Sequence, residues 1–160
     1  MSRRTDMLGF TLIELMITIA LLAIVIGIAI PNFTGLIRNN QLEAQTQSLN
    51  SLLQFARSEA VVRRTSILVT NNNNVWTISL GGQPIRQETF NTAQATITTV
   101  PSPVALTYFA NGSATALNVM VCRDAKPETA YQITVQPSGS TRINPRGKDA
   151  DNVALTDCTL

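Results

Sequence analysis

Residues 10–30 are twenty-one in number and almost wholly apolar, interrupted only by Thr11, Glu14, Thr18 and Gly27. As an α-helix rising about 1.5 Å per residue, this run spans roughly 30 Å, the thickness of a bilayer's hydrocarbon core. Arg3 and Arg4 precede it, and no basic residue follows until Arg38. The positive-inside rule therefore puts Met1 in the cytoplasm and the remainder of the chain across the membrane. An ordinary secretory signal has a shorter apolar core followed by a small-residue cleavage site. Here the expected cut lies before the run, so the apolar segment stays in the mature protein. Glu14 is the anomaly, because a lone ionisable group inside a membrane segment is costly and usually has a partner and a purpose. The plainer alternative is a single-span anchor whose carboxylate snorkels toward the headgroups.

Gly9-Phe10-Thr11-Leu12-Ile13-Glu14-Leu15, behind a short basic leader, resembles the prepilin signature of type IV pilins and type II secretion pseudopilins. The resemblance implies that prepilin peptidase cuts between Gly9 and Phe10 and then N-methylates Phe10. Gly9 fits because a side chain there would obstruct the peptidase. Glu14, the fifth mature residue, falls on the family's invariant glutamate. Its implied partner is the amino terminus of Phe10, in the same subunit or a neighbour. Pairing two charges in a low-dielectric core reduces the desolvation penalty and helps set axial register. Pro31 matches the family's helix-breaking proline, where a kink is expected because proline lacks the N–H and clashes with the preceding turn.

At 160 residues, or 151 after this cleavage, there is room for one helix and one modest globular domain. Loss of the leader takes the formal charge from +2 to +1, so bulk charge demands neither nucleic acid nor an anionic surface. The chain has no histidine, which removes the commonest general base and metal ligand. Cys122 and Cys158 are its two cysteines. In an oxidising periplasm they read as one disulfide, very roughly 3–4 kcal/mol of stabilisation by chain-entropy arguments; two unpaired buried thiols are the alternative. With no histidine to activate either, a catalytic thiol is not expected.

Beyond Pro31 the helical pattern continues. Leu42, Leu49, Leu52, Leu53, Ala56 and Ala60 recur at three-, four- and seven-residue intervals, giving one apolar face. Glu43, Arg57, Glu59, Arg63 and Arg64 lie largely off it. The expected organisation is a leader at 1–9, a long helix over 10–64 with its membrane half at 10–30, and a β-rich periplasmic headgroup over 65–160. The fold class is α+β, a long helix packed on a mainly antiparallel sheet. Strands are expected at 66–70, 75–80, 85–90, 95–100, 106–109, 117–122, 131–135 and 141–143. The asparagine run 71–74 reads as a polar loop. Pro101 and Pro103 suit a crossing between sheet sections. Residues 144–160 are polar and read as irregular, and no internal repeat is visible.

Phe55-Ala56-Arg57-Ser58-Glu59-Ala60-Val61 before Arg63-Arg64, Trp76 after the first strand, Tyr108-Phe109-Ala110-Asn111-Gly112, and Tyr131-Gln132-Ile133-Thr134-Val135 leading to Gly139 resemble, in order, the FimU, FimT and GspH group of minor pilins and pseudopilins. A FimU-like role implies a minor-pilin complex priming pilus assembly at the filament tip, in adhesion and twitching motility. The implied partners are prepilin peptidase, other minor pilins and the major pilin, with the inner membrane as residence before assembly and the pilus afterwards. A GspH-like role implies the corresponding place in the type II secretion machine. A FimT-like role implies DNA uptake through a Gly-Arg-x-Arg motif, which here reads Gly139-Ser140-Thr141-Arg142. Serine replaces the first arginine, and each lost cation weakens phosphate binding. Arg142, Arg146 and Lys148 remain as candidate DNA contacts, offset by Asp149, Asp151 and Asp157, so the structural role leads. Trp76, Tyr108, Phe109 and Tyr131 read as core residues rather than a stacking platform. No metal cluster, nucleophile–base pair or phosphate loop is visible; neither enzyme activity nor a cofactor or metal is expected.

Overall fold

The computed structural model describes residues 10–160, the side chains at positions 31 and 32 excepted; the leader 1–9, and with it Gly9, lies outside the described residues. One helix, α1 (Leu12–Arg63), is followed by eight strands: β1 (Ile67–Asn72), β2 (Val75–Leu80), β3 (Gln83–Thr89), β4 (Thr96–Val100), β5 (Ala105–Tyr108), β6 (Leu117–Cys122), β7 (Tyr131–Val135) and β8 (Thr141–Ile143). The chain divides into two compact units, one ending at Ile37 and the other Arg38–Leu160.

In the first unit, aliphatic side chains from Leu12 to Ile30 are exposed all around the helix. A helix apolar on every side needs an apolar surrounding. By length and composition this one is able to cross a membrane. The helical assignment continues without a break through position 31, so the proline expected to kink the helix does not end it.

In the second unit, α1 runs from Arg38 without glycine or proline, through leucine, alanine, glutamine and arginine, which favour helix. Its apolar stripe is the expected one, with Leu42, Leu49, Leu52, Leu53, Ala56 and Ala60 each at most 1% exposed. The chain leaves the helix at Arg64, whose φ of 52° is left-handed. Thr65 N–H then donates to the Ala60 carbonyl at 3.2 Å, a carboxy-terminal cap of the left-handed kind.

The strands form two four-stranded sheets rather than one, in the orders β3-β2-β1-β5 and β4-β6-β7-β8, with every pair antiparallel. Ile67, Val69, Trp76, Ile78, Leu106 and Tyr108 from the first sheet share one core with Leu117, Val119, Val121, Ile133 and Val135 from the second and with the α1 stripe. Trp76 meets Phe90 edge-on, ring centroids 6.4 Å apart. The chain passes from β4 in the second sheet to β5 in the first through Pro101 and Pro103, the crossing those prolines suggested.

Two local expectations are corrected. Asn71 and Asn72 are strand residues paired with Trp76 and Val75, so the hairpin turn is only Asn73-Asn74. Asn73 takes a left-handed φ of 53°, which asparagine tolerates better than most residues. Phe109 is 42% exposed rather than a core residue, because its backbone turns outward as Phe109 N–H donates to Ser113 O and Phe109 O accepts from Gly112 N–H.

Strand β6 is buried on both faces. Leu117, Val119 and Val121 point to the helix side, while Met120 and Cys122 form a second small cluster with Ala130, Leu155 and Cys158. The irregular tail, residues 144–160, therefore covers the far face of the second sheet. Cys122 and Cys158 are joined as a disulfide with Cα atoms 5.9 Å apart.

Candidate functional site

The amino-terminal motif is built around the start of α1. Thr11 precedes the first helical residue, and its hydroxyl accepts from Glu14 N–H at 3.3 Å. Glu14 Oε2 in turn accepts from Thr11 N–H and from the Thr11 hydroxyl, both at 2.8 Å. This is a reciprocal capping box, in which two otherwise orphaned helix N–H groups are satisfied by side chains three residues apart. Glu14 thus sits in the first turn, at the positive end of the helix, with both bonds falling on one carboxylate oxygen. Sequence reasoning singled out Glu14 and missed Thr11, although Thr-x-x-Glu before an apolar run is a readable signal for this arrangement.

At the other end of the chain, the three candidate DNA contacts are spread along one edge. Arg142 is exposed on β8 opposite Thr134. The chain then follows β7 until Gly147 N–H donates to Ala130 O at 2.8 Å. Arg142 and the Arg146–Lys148 stretch are therefore about four residues apart along β7, roughly 13 Å. Arg146 Nη2 donates to Asn39 Oδ1 of α1 at 2.7 Å, so that cation is engaged in holding the tail to the helix. Lys148 is half-buried in a bridge to Ala154. The nearby acids organise turns: Asp149 Oδ1 accepts from the N–H groups of Asp151 and Val153. Asp157 accepts from both the N–H and the hydroxyl of Thr159, which hold its carboxyl below the usual range.

A second constellation was not foreseen. Arg57, on the helical segment that resembles the family, donates from Nε to Gly112 O at 3.0 Å and from Nη2 to Ser138 O at 3.2 Å. It ties the turn after β5 to the turn before β8. Gly112 and Gly139 have φ of 81° and 78°, and a Cβ built on Gly139 would stand 1.8 Å from Gly112 O. The glycine that opens the Gly139-Ser140-Thr141-Arg142 motif is therefore required by close backbone approach. Below this seam, burial pushes the Tyr108 phenol up, opposed by the neighbouring Thr141 hydroxyl and the charge of Arg57. Neither oxygen has a well-formed hydrogen bond among the described residues. The available signal was an arginine flanked by core positions Ala56 and Ala60, but its carbonyl partners lie 55 and 81 residues away. Among the described residues, no group of three or more cysteine, aspartate or glutamate side chains is placed to hold a metal.

A long apolar amino-terminal helix continuing into a headgroup of antiparallel sheets, led by this motif, defines a type IV pilin-like subunit. The family model described as Type II transport protein GspH matches residues 45–139, and the Prokaryotic N-terminal methylation motif matches residues 6–30. The chain belongs to the GspH family, a family of structural minor pilins and pseudopilins. The type IV minor pilin FimU of Pseudomonas aeruginosa (strain PAO1), in crystals of space group P21, is similar with a TM-score of 0.63 and 25% identity, covering 74% of this chain and 96% of that one. Its P65 crystal form gives 0.60 and 23%, covering 72% and 98%. The minor pseudopilin EpsH of the Vibrio cholerae type II secretion system shares the fold at a TM-score of 0.56 and 14% identity, covering 69% and 98%. No curated protein sequence matches.

Proposed function

We propose that this chain is a FimU-like minor pilin, cut by prepilin peptidase after Gly9, N-methylated on Phe10, and incorporated into a minor-pilin complex that primes pilus assembly at the filament tip. The observation that carries this reading is the similarity to FimU, which extends over 96% of that chain at 25% identity. Before assembly the helix resides in the inner membrane with the headgroup periplasmic; afterwards it joins the bundle at the filament axis. The capping box supports a specific role for Glu14. With Oε2 held by Thr11, the other oxygen, which has no hydrogen bond among the described residues, receives the new amine of Phe10, of the same or a neighbouring subunit. In a low-dielectric bundle an unmatched carboxylate costs far more than a paired one, so the pairing favours one axial register.

The GspH family model favours a second reading, a pseudopilin of type II secretion. DNA capture is less favoured, because Ser140 replaces an arginine of the FimT motif, and the remaining cations are followed closely by Asp149, Asp151 and Asp157. Deleting the gene and assaying surface piliation, protein secretion and transformation in parallel separates the three. Loss of piliation with secretion intact is the expected result; a defect confined to secretion, or one confined to transformation with piliation intact, overturns it.

A further inference from the structure

A groove of about 510 Å³ lies at the carboxy-terminal end of α1, lined by Arg57, Ser58, Val61 and Val62 of the helix and by Ser140 and Thr141 of the turn into β8. We infer that this groove docks an acidic segment of a neighbouring pilin subunit, with an aspartate or glutamate on Arg57 and an aliphatic neighbour on Val61 and Val62. The inference rests on the assembly role proposed above.

Three observations carry it. First, Arg57 is fixed but not neutralised. Its bonds to Gly112 O and Ser138 O use two of five N–H donors, and it has no carboxylate partner among the described residues' ion pairs. A guanidinium already held in place loses little side-chain freedom on binding and presents a planar edge suited to a carboxylate. Second, the surroundings are basic. The segments meeting here, residues 54–64, 109–113 and 136–141, contain Arg57, Arg63 and Arg64 against a single acid, Glu59. Arg142 faces the other side of the sheet, because Thr141 lines the groove and successive strand residues alternate. Glu59 is already paired with Arg63. Of the other headgroup acids, Glu43 lies earlier on α1, Glu88 is paired with Arg86, Asp124 with Arg38 and Arg123, Glu128 lies in the turn before β7, and Asp149, Asp151 and Asp157 lie in the tail. Third, the groove's wall is aliphatic and open, with Val61 46% and Val62 76% exposed. A peptide satisfies both the cation and this wall, whereas a phosphodiester satisfies only the cation.

The test uses the full chain in the cell that makes it, with the photoreactive residue p-benzoylphenylalanine in place of Val62, and at Ile17 as a reporter of helix-bundle entry. The expected product at Val62 is a cross-link to another pilin-like subunit, mapped by mass spectrometry next to an aspartate or glutamate. Arg64→Glu, at an exposed position, should reduce its yield by about 1.5- to 5-fold, as expected for an exposed charge pair, while Arg142→Glu, on the opposite face of β8, is the control and should leave it unchanged. Arg57→Gln should abolish it, with Trp76 emission checking that the headgroup is still folded. The inference falls if Ile17 cross-links while Val62 does not. It also falls if Val62 captures DNA or a segment without acids, or if Arg64→Glu leaves the yield unchanged. Silence at both positions overturns the assembly role, and this inference with it.

Discussion

Replacing Gly139 with alanine should be among the most damaging single-methyl changes in the headgroup. Two costs combine. At a φ of 78° an alanine pays about 1 kcal/mol for left-handed backbone. The new Cβ would also lie 1.8 Å from Gly112 O and 3.0 Å from Arg57 Nε. The nearest neighbour is backbone and cannot swing aside, so the two turns must part by more than 1 Å. That separation breaks one or both of the Arg57 hydrogen bonds, each about 1.5–3 kcal/mol for a charged donor. The total is about 2.5–7 kcal/mol. At roughly 4 °C per kcal/mol for a unit of this size, the melting temperature falls by about 10–28 °C. Among the described residues, all the buried ones lie within Arg38–Leu160, so a fragment of those residues suffices, its unfolding followed through Trp76. Gly82→Ala is the matched reference: its φ is 83°, and nothing lies within 4 Å of its Cβ position. It should lose only the backbone part. If the two variants fall within about 1 kcal/mol of each other, the close-approach reasoning is wrong.

Replacing Cys122 and Cys158 together with serine should cost about 3–4 kcal/mol in denaturant unfolding, and an unchanged midpoint would show that the tail needs no tether. Tyr108 has its phenol raised by burial, so its stability contribution is complete below the unfolded value near pH 10 and is lost as pH rises through the folded value. Tyr108→Phe should therefore flatten the loss of stability at alkaline pH; an unchanged slope contradicts the burial argument. Some slope should persist from Tyr131, whose phenol is raised by burial and by Glu43. Gly9→Leu should leave an uncleaved precursor on immunoblots, and a mature-sized product refutes the assigned cut. Glu14→Ala should insert in the membrane yet be missing from sheared filaments; normal recovery there removes the registry role.

The readable parts of this fold are those whose causes are local. The apolar spacing from Leu42 to Ala60 names a helix face because side chains three and four apart share a side, and the structure buries each of those residues. Strands β2, β6, β7 and β8 begin and end where turn residues and β-branched runs place them. The division into two sheets was hidden, since pairing β5 with β1 and β4 with β6 joins segments separated by long stretches of chain. Strand β6 gave a clue in Val119-Met120-Val121-Cys122, a run without alternation that suits burial on both faces. Arg57 was legible only as one more polar residue off the stripe, because its partners are carbonyls, and backbone atoms leave no mark in composition. At the amino terminus the capping box is local too, since Thr11 and Glu14 stand three residues apart before an apolar run.

The exchange of strands between the sheets also fixes an order of events. The chain lays down β1, β2 and β3 in the first sheet, crosses to place β4 in the second, returns for β5, and crosses again for β6, β7 and β8. Until residues 105–108 emerge, one side of β1 has no partner, and until β6 follows, β4 has nothing to pair with. A chain delivered from its amino terminus must therefore hold unfinished sheet edges while later segments arrive, an interval in which such edges invite association. The tail comes last and shuts the far face of β6. For this headgroup, the moment of closure belongs to its final residues.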